Sequence, residues 1–128
     1  AVTKAKQQGK DDAIFINYNG DVTESTTGNL FYIKDDIIYT AEYDILYGIT
    51  RKVILDYRKD IVETMYKLET LLEADEVFIS GTTKLIIPVV QINDTIIGDG
   101  KPGKQTMQLR KEISDWINLT WLWRQEVL

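Results

Sequence analysis

The chain has 128 residues, with 15 lysines and arginines against 20 aspartates and glutamates, so its net charge at pH 7 is −5. It has no histidine and no cysteine, which excludes Ser-His-Asp and Cys-His nucleophile pairs, thiolate chemistry, disulfide bonds and zinc sites built from those ligands. The length and the 44% hydrophobic composition predict one globular domain, while the acidic balance and the short apolar runs predict neither a nucleic-acid surface nor a membrane span.

The first third of the chain predicts antiparallel strands joined by tight turns. Residues 1–9 have the pattern of a polar helix that ends at Gly9. Asn19-Gly20 is a strong signal for a short hairpin, and Asp35-Asp36 marks a second turn. The strands around these turns are predicted at residues 13–17, 29–33 and 37–40.

The rest of the chain alternates helices with short strands. Apolar Ile49, Val53, Ile54 and Tyr57 recur at helical spacing and predict a helix that begins near Thr50. The other predicted elements are a strand at 61–63, a helical turn at 67–72, strands at 76–80, 85–92 and 95–97, and a helix from about 105 to 119.

Three polar segments are candidates for binding. Residues 22–31 place a carboxylate, four hydroxyls and a glycine between two strands, although a plain polar hairpin connection gives the same pattern. Gly48-Ile49-Thr50-Arg51 opens a helix, where free N–H groups and the helix dipole favour an anion. Ser80-Gly81-Thr82-Thr83 is a second hydroxyl-rich turn, which local sequence alone explains as a simple turn.

A further segment, Gly98 to Gln105, has the glycine and lysine spacing of a nucleotide phosphate loop. It has Gln105 where a serine or threonine must bind magnesium, and it follows the strands that it should precede. A phosphate-loop nucleotide binder is therefore the weakest hypothesis. The acidic pairs Asp11-Asp12, Asp35-Asp36 and Asp75-Glu76 lack calcium-loop spacing, so no metal site is predicted.

Taken together and in this order, the segments resemble the class IV, or fold-type IV, pyridoxal-phosphate aminotransferases, a family that includes branched-chain and D-amino-acid aminotransferases and aminodeoxychorismate lyase. The motifs that carry the resemblance are Glu24 with Asn29 five positions on, Gly48-Ile49-Thr50-Arg51, residues 74–82, Ile87-Pro88-Val89 and Gly98-Asp99-Gly100. The details of the Ser80-Gly81-Thr82 turn are most similar to branched-chain aminotransferases.

The resemblance implies a role for each motif. Glu24 matches the residue that faces the pyridine nitrogen of pyridoxal 5′-phosphate, where an anion keeps the ring protonated. The backbone around Thr27, the amides of Ile49 and Thr50, and the hydroxyl of Thr82 match positions that hold the 5′-phosphate. Gly81, Thr82 and Thr83 match the turn that contacts the substrate carboxylate.

The resemblance also implies that residues 1–128 form the single C-terminal cofactor-binding domain of such an enzyme. The family's Schiff-base lysine is expected upstream of Ala1, and the small N-terminal domain is expected to be absent from this chain. Lys4 and Lys6 match ordinary surface positions, so no catalytic residue is assigned within the chain.

The expected fold is α+β, with a curled, barrel-like mixed sheet flanked by helices. The expected function is pyridoxal-phosphate binding in an enzyme that transfers an amino group between a branched-chain amino acid and 2-oxoglutarate, in a cytoplasmic homodimer. A D-amino-acid transaminase, an aminodeoxychorismate lyase and a noncatalytic domain are the alternatives.

Overall fold

The computed structural model describes the backbone of residues 12–127 and the side chains of residues 12–118. Within this part of the chain there are nine strands and three helices. The strands are β1 Ile14–Ile16, β2 Val22–Ser25, β3 Asn29–Lys34, β4 Ile37–Thr40, β5 Val62–Glu63, β6 Glu76–Gly81, β7 Leu85–Val89, β8 Gln91–Ile92 and β9 Thr95–Ile96. The helices are α1 Ile49–Tyr57, α2 Leu68–Leu72 and α3 Lys104–Val127.

Seven strands form one mixed, curled sheet, as predicted. The order runs from β1 through β5, and β6 joins the opposite edge of β3 and carries β7. All of these pairs are antiparallel except β4 with β5, which is parallel. One edge of β3 pairs with β2 at Asn29 and with β4 from Phe31 onward, and the other edge pairs with β6. The start of β3 therefore lies between β2 and β6.

Both faces of the sheet are covered, because the side chains of β3 alternate between two cores. Leu30 and Tyr32 pack with Leu71 of α2. Phe31 and Ile33 pack on the other face with Ile54 of α1 and with Leu109 and Ile113 of α3. The ring of Phe31 stacks on that of Phe78, with centroids 4.8 Å apart. β3, whose first residues lie at the candidate site, is therefore packed on both faces.

The predicted turns at Asn19-Gly20 and Asp35-Asp36 are present. Asp35 and Asp36, with φ 50° and 67°, form a two-residue turn between β3 and β4. The turn at Asn19-Gly20 belongs to a longer loop, in which the amide of Asn17 donates to the carbonyl of Asp21 at 2.9 Å and Gly20 has φ +81°. The prediction for residues 1–9 lies outside the described residues. Within the part of the chain that is described, no helix is both long and apolar enough to cross a membrane.

Two strand predictions were wrong. Residues 22–25 were assigned to a polar connection, but Val22–Ser25 forms β2, paired with both β1 and β3. Residues 85–92 were predicted as one strand, but the chain leaves the main sheet at Val90 and β8 pairs with β9 instead. The amide of Ile97 donates to the carbonyl of Val90 at 3.0 Å, which closes this small hairpin.

Candidate functional site

A cavity of about 210 Å³ lies where the β2–β3 hairpin, the start of α1 and the end of β6 meet. Six of the seven residues that the sequence analysis assigned to a site line it, namely Glu24, Thr27, Ile49, Thr50, Gly81 and Thr82. Thr83 follows in the turn after β6 and does not line the cavity. Three segments that are far apart in the sequence therefore share one cavity.

Glu24 lies on β2 with one carboxylate oxygen engaged. The amide of Leu46 donates to Glu24 Oε1 at 2.7 Å. Among the described residues, no hydrogen bond or ion pair reaches Oε2. Glu24 is thus held by a backbone amide on one oxygen while its other oxygen is available to a positively charged or protonated partner in the cavity.

The N-terminus of α1 supplies backbone donors to the same cavity. Gly48 is the N-cap residue, with φ −66° and ψ 153°, and it has no side chain that could accept from the first turn. The leading N–H groups of an α-helix have no acceptor within the helix. Ile49 and Thr50 both line the cavity. Their amides, together with the positive end of the helix dipole, make this end of α1 suited to an anion.

The hydroxyl of Thr50 has a structural partner. It donates to the carbonyl oxygen of Gly81 at 3.0 Å and so ties the first turn of α1 to the end of β6. This bond fixes the distance between the helix terminus and the turn that contains Thr82. Thr50 therefore offers its amide, rather than its hydroxyl proton, to a ligand.

Thr27 lies in the wall of the cavity, but its donors are already used inside the hairpin. Its amide donates to Ser25 Oγ at 3.3 Å, and its hydroxyl donates to the carboxylate of Asp12. Burial by itself would raise the pKa of Asp12, but hydrogen bonds from Thr26, Thr27 and Ala13 outweigh it and hold that pKa below its ordinary value. The hairpin thus gives the cavity its shape, and the donors of Thr27 are not available to a ligand.

The structure shows a role for Arg51 that the sequence analysis did not assign. Its guanidinium is buried, and Nη2 donates to the carboxylate of Glu63 at 2.7 Å and to the carbonyl of Ala41 at 3.0 Å. The guanidinium also lies 5.3 Å from the centre of the Tyr47 ring. These contacts attach α1 to β5 and to the end of β4, so the helix start cannot shift along the sheet without breaking them.

The segment with phosphate-loop spacing is not part of this cavity. At the start of α3 the carboxylate of Glu76 accepts from the amides of Gln105 at 3.2 Å and Thr106 at 2.8 Å. A Cβ at Gly103 would lie 1.9 Å from Glu76 Oε1, so glycine there leaves room for the carboxylate. Because the chain's own anion occupies these amides, they are not available to a nucleotide phosphate.

The cap of α3 gives a testable effect on stability. Glu76→Ala should lower the free energy of unfolding by about 1–2 kcal/mol, because two amides of the first turn lose a charged acceptor. Urea unfolding measures the loss, and Glu73→Ala, which removes an exposed carboxylate that caps no helix start, is the matched control. A loss no larger than that of the control would show that Glu76 does not cap α3.

Comparisons with known proteins agree with the geometry. The sequence model of the family described as "Amino-transferase class IV" matches residues 1–92. A D-alanine aminotransferase of Listeria monocytogenes is 42% identical in an alignment of 117 residues that covers 87% of this chain and 40% of that protein. A putative branched-chain-amino-acid aminotransferase of Methanocaldococcus jannaschii is 34% identical in an alignment of 127 residues that covers 94% of this chain and 44% of the relative.

Solved structures give the same result. The branched-chain amino acid aminotransferase of Thermobaculum terrenum, solved in its pyridoxal-phosphate holo form, is similar with a TM-score of 0.84 and 29% identity, over 91% of this chain and 40% of that one. The Escherichia coli branched-chain enzyme gives a TM-score of 0.81 at 32% identity, over 85% and 39%. The chain spans about 40% of the length of these relatives. The family model matches more than half of the residues of this chain, and the mixed curled sheet agrees with it. The chain therefore belongs to the class IV aminotransferases.

Proposed function

We propose that this chain is the pyridoxal-phosphate-binding part of a class IV aminotransferase. The observation that carries the proposal is the arrangement of charge in the cavity. A carboxylate with a free oxygen, Glu24, and the free amides at the start of α1 line the same space of about 210 Å³. A ligand that is cationic at one end and anionic at the other matches this arrangement.

Pyridoxal 5′-phosphate has that charge distribution, so the residues present fit it. The amides of Ile49 and Thr50, with the hydroxyl of Thr82, would hold the phosphate. Glu24 would keep a proton on the pyridine nitrogen, and the bound cofactor then supplies the electron sink for amino-group transfer. Gly81, Thr82 and Thr83 would meet the substrate carboxylate, and Thr27 would close the wall beside the phosphate.

Within the described part of the chain, no lysine lines this cavity. We propose that the Schiff-base lysine comes from upstream of Ala1, with the small N-terminal domain, and that residues 1–128 alone do not catalyse transamination. If no other segment supplies that lysine, the alternative of a noncatalytic domain applies.

The substrates we propose are a branched-chain L-amino acid and 2-oxoglutarate. The similarity in fold to branched-chain enzymes supports this choice. A D-alanine aminotransferase is the second candidate, because the 42% identity to the Listeria protein favours it. An aminodeoxychorismate lyase shares the cofactor residues and stays a prediction from the resemblance, as do homodimer assembly and a cytoplasmic location.

Two measurements test these proposals. Borohydride reduction of the 128-residue chain with pyridoxal phosphate, followed by peptide mapping, should give only scattered labelling below one equivalent, with transamination no faster than that of the free cofactor. One stoichiometric adduct at Lys4 or Lys6 with enzyme-level transamination would contradict the upstream lysine. In the whole protein, amino-group transfer to 2-oxoglutarate should favour L-leucine, L-isoleucine or L-valine, and a preference for D-alanine would establish the second candidate.

A further inference from the structure

Asn29 lies where the strands that carry the site meet. It is the first residue of β3, its backbone pairs with Glu24 of β2 on one side and with Ser80 of β6 on the other, and it is only 5% exposed. Glu24 and the turn after Ser80 both belong to the proposed cofactor site. A side chain at this junction is therefore fixed relative to both.

The side chain of Asn29 uses both of its polar groups on the loop before α1. Its Nδ2 donates to the carbonyl of Leu46 at 2.7 Å, and its Oδ1 accepts from the amide of Gly48 at 3.3 Å. The amide of the same Leu46 donates to Glu24 at 2.7 Å. Glu24 and Asn29, which pair across β2 and β3, thus both bond to the backbone of the loop before α1.

Polar contacts and the contact between Tyr47 and Arg51, rather than buried apolar side chains, hold residues 46–48 in place. The side chains that flank the Asn29 contacts are exposed, Leu46 by 77%, Tyr47 by 66% and Ile49 by 78%. Apolar burial therefore does not fix the backbone of residues 46–48. The hydrogen bonds that Asn29 and Glu24 make with this loop are therefore among the few contacts that determine where α1 begins. The others are the Arg51 contacts, the bond from the Thr50 hydroxyl to the Gly81 carbonyl, and the backbone bond from Gly48 to Leu46.

We propose that Asn29 is a positioning residue, which holds the loop before α1 so that the helix amides and the carboxylate of Glu24 reach one bound cofactor at once. The inference rests on the proposed function, because it assumes that these amides meet a phosphate. Asn29 also lines the cavity, but both of its side-chain groups are engaged within the chain, so the proposed role acts through the loop that they hold.

The test compares the affinities of the apoprotein for pyridoxal phosphate and for pyridoxal, which lacks the phosphate. The whole protein is titrated with each compound. Asn29→Ala should weaken pyridoxal phosphate binding by about tenfold or more, because two hydrogen bonds that align the helix amides are lost. Pyridoxal binding should change less, so the ratio of the two affinities should fall. A residue that only stabilises the fold would lower the free energy of unfolding and leave this ratio unchanged in the folded protein.

A second variant perturbs the same contact from the other side. A Cβ at Gly48 would lie 2.8 Å from Asn29 Oδ1, while the φ of −66° is open to alanine. Gly48→Ala should therefore push the Asn29 amide away and lower the same ratio, and it decides the question if Asn29→Ala does not fold. Asn118→Ala, at an exposed position of α3, is the control and should leave the ratio unchanged.

The outcomes separate this inference from the proposed function. A lower ratio in Asn29→Ala and Gly48→Ala supports the positioning role. An unchanged ratio in both variants, with pyridoxal phosphate still preferred by the unmutated protein, would overturn the role of Asn29 alone. Equal affinities of the unmutated protein for the two compounds would overturn the proposed function and this inference with it.

Discussion

Glu24→Gln in the whole protein is expected to slow turnover by about 10²-fold or more, roughly 2.7 kcal/mol of activation free energy. Glutamine keeps the shape of the side chain and an oxygen that can accept from the Leu46 amide. It lacks the negative charge that would keep a proton on the ring nitrogen of the cofactor. The loss should therefore appear in kcat, while the preference for pyridoxal phosphate over pyridoxal remains.

The control for this substitution is Glu73→Gln, which removes an exposed carboxylate after α2, away from the cavity. It should leave kcat unchanged. Steady-state kinetics of the two variants, with the free energies of unfolding measured alongside, separate an effect on chemistry from one on folding. A kcat for Glu24→Gln equal to that of the unmutated enzyme would reject the role of the Glu24 charge.

Gly28→Ala is expected to destabilise the fold by about 2 kcal/mol or more. A Cβ at Gly28 would lie 1.7 Å from the carbonyl oxygen of Ser80, which is backbone and cannot rotate away. The hairpin that carries Glu24 would have to move off β6. Urea unfolding measures the loss, and the affinity for pyridoxal phosphate should fall with it, because the two walls of the cavity separate.

Gly81→Ala is the matched substitution across the same cavity. Its Cβ would lie 3.7 Å from the Thr27 carbonyl, an ordinary contact distance, so its free energy of unfolding should stay within about 1 kcal/mol of the unmutated value. If Gly28→Ala were no less stable than Gly81→Ala, the close contact between the hairpin and β6 would not be a requirement of the fold.

Most of the turns and strands could be predicted from the sequence, because the residues that specify them are neighbours in the chain. Gly20 and the pair Asp35-Asp36 allow the positive φ values that their hairpins need. The polar residues of β2 gave no such signal. Thr23 and Ser25 are buried because their neighbours lie on two other strands and their hydroxyls bond to the carbonyls of Phe15 and Gly28. That environment exists only after the sheet has formed.

The candidate site likewise combines features that neighbouring residues specify with features that depend on tertiary contacts. The motif at the start of α1 predicted an anion site from the chemistry of any helix N-terminus, and the structure brings that terminus to Glu24. The helix terminus of α3 looked similar in sequence, yet Glu76, 29 residues before Gln105, occupies its amides. The role of Asn29 could not be predicted either, because the partners of a side-chain amide are determined by tertiary contacts with residues 17 and 19 positions away.

The central claim is that the cavity binds pyridoxal phosphate through the helix amides and Glu24. Equilibrium binding of pyridoxal phosphate, pyridoxal and ATP to the unmutated whole protein tests it most directly. Pyridoxal phosphate should bind at least about tenfold more tightly than pyridoxal, since charge-assisted hydrogen bonds to a phosphate contribute about 1.5–3 kcal/mol each, and ATP should not compete. Equal affinity for pyridoxal phosphate and pyridoxal, or displacement of pyridoxal phosphate by ATP, would contradict the account.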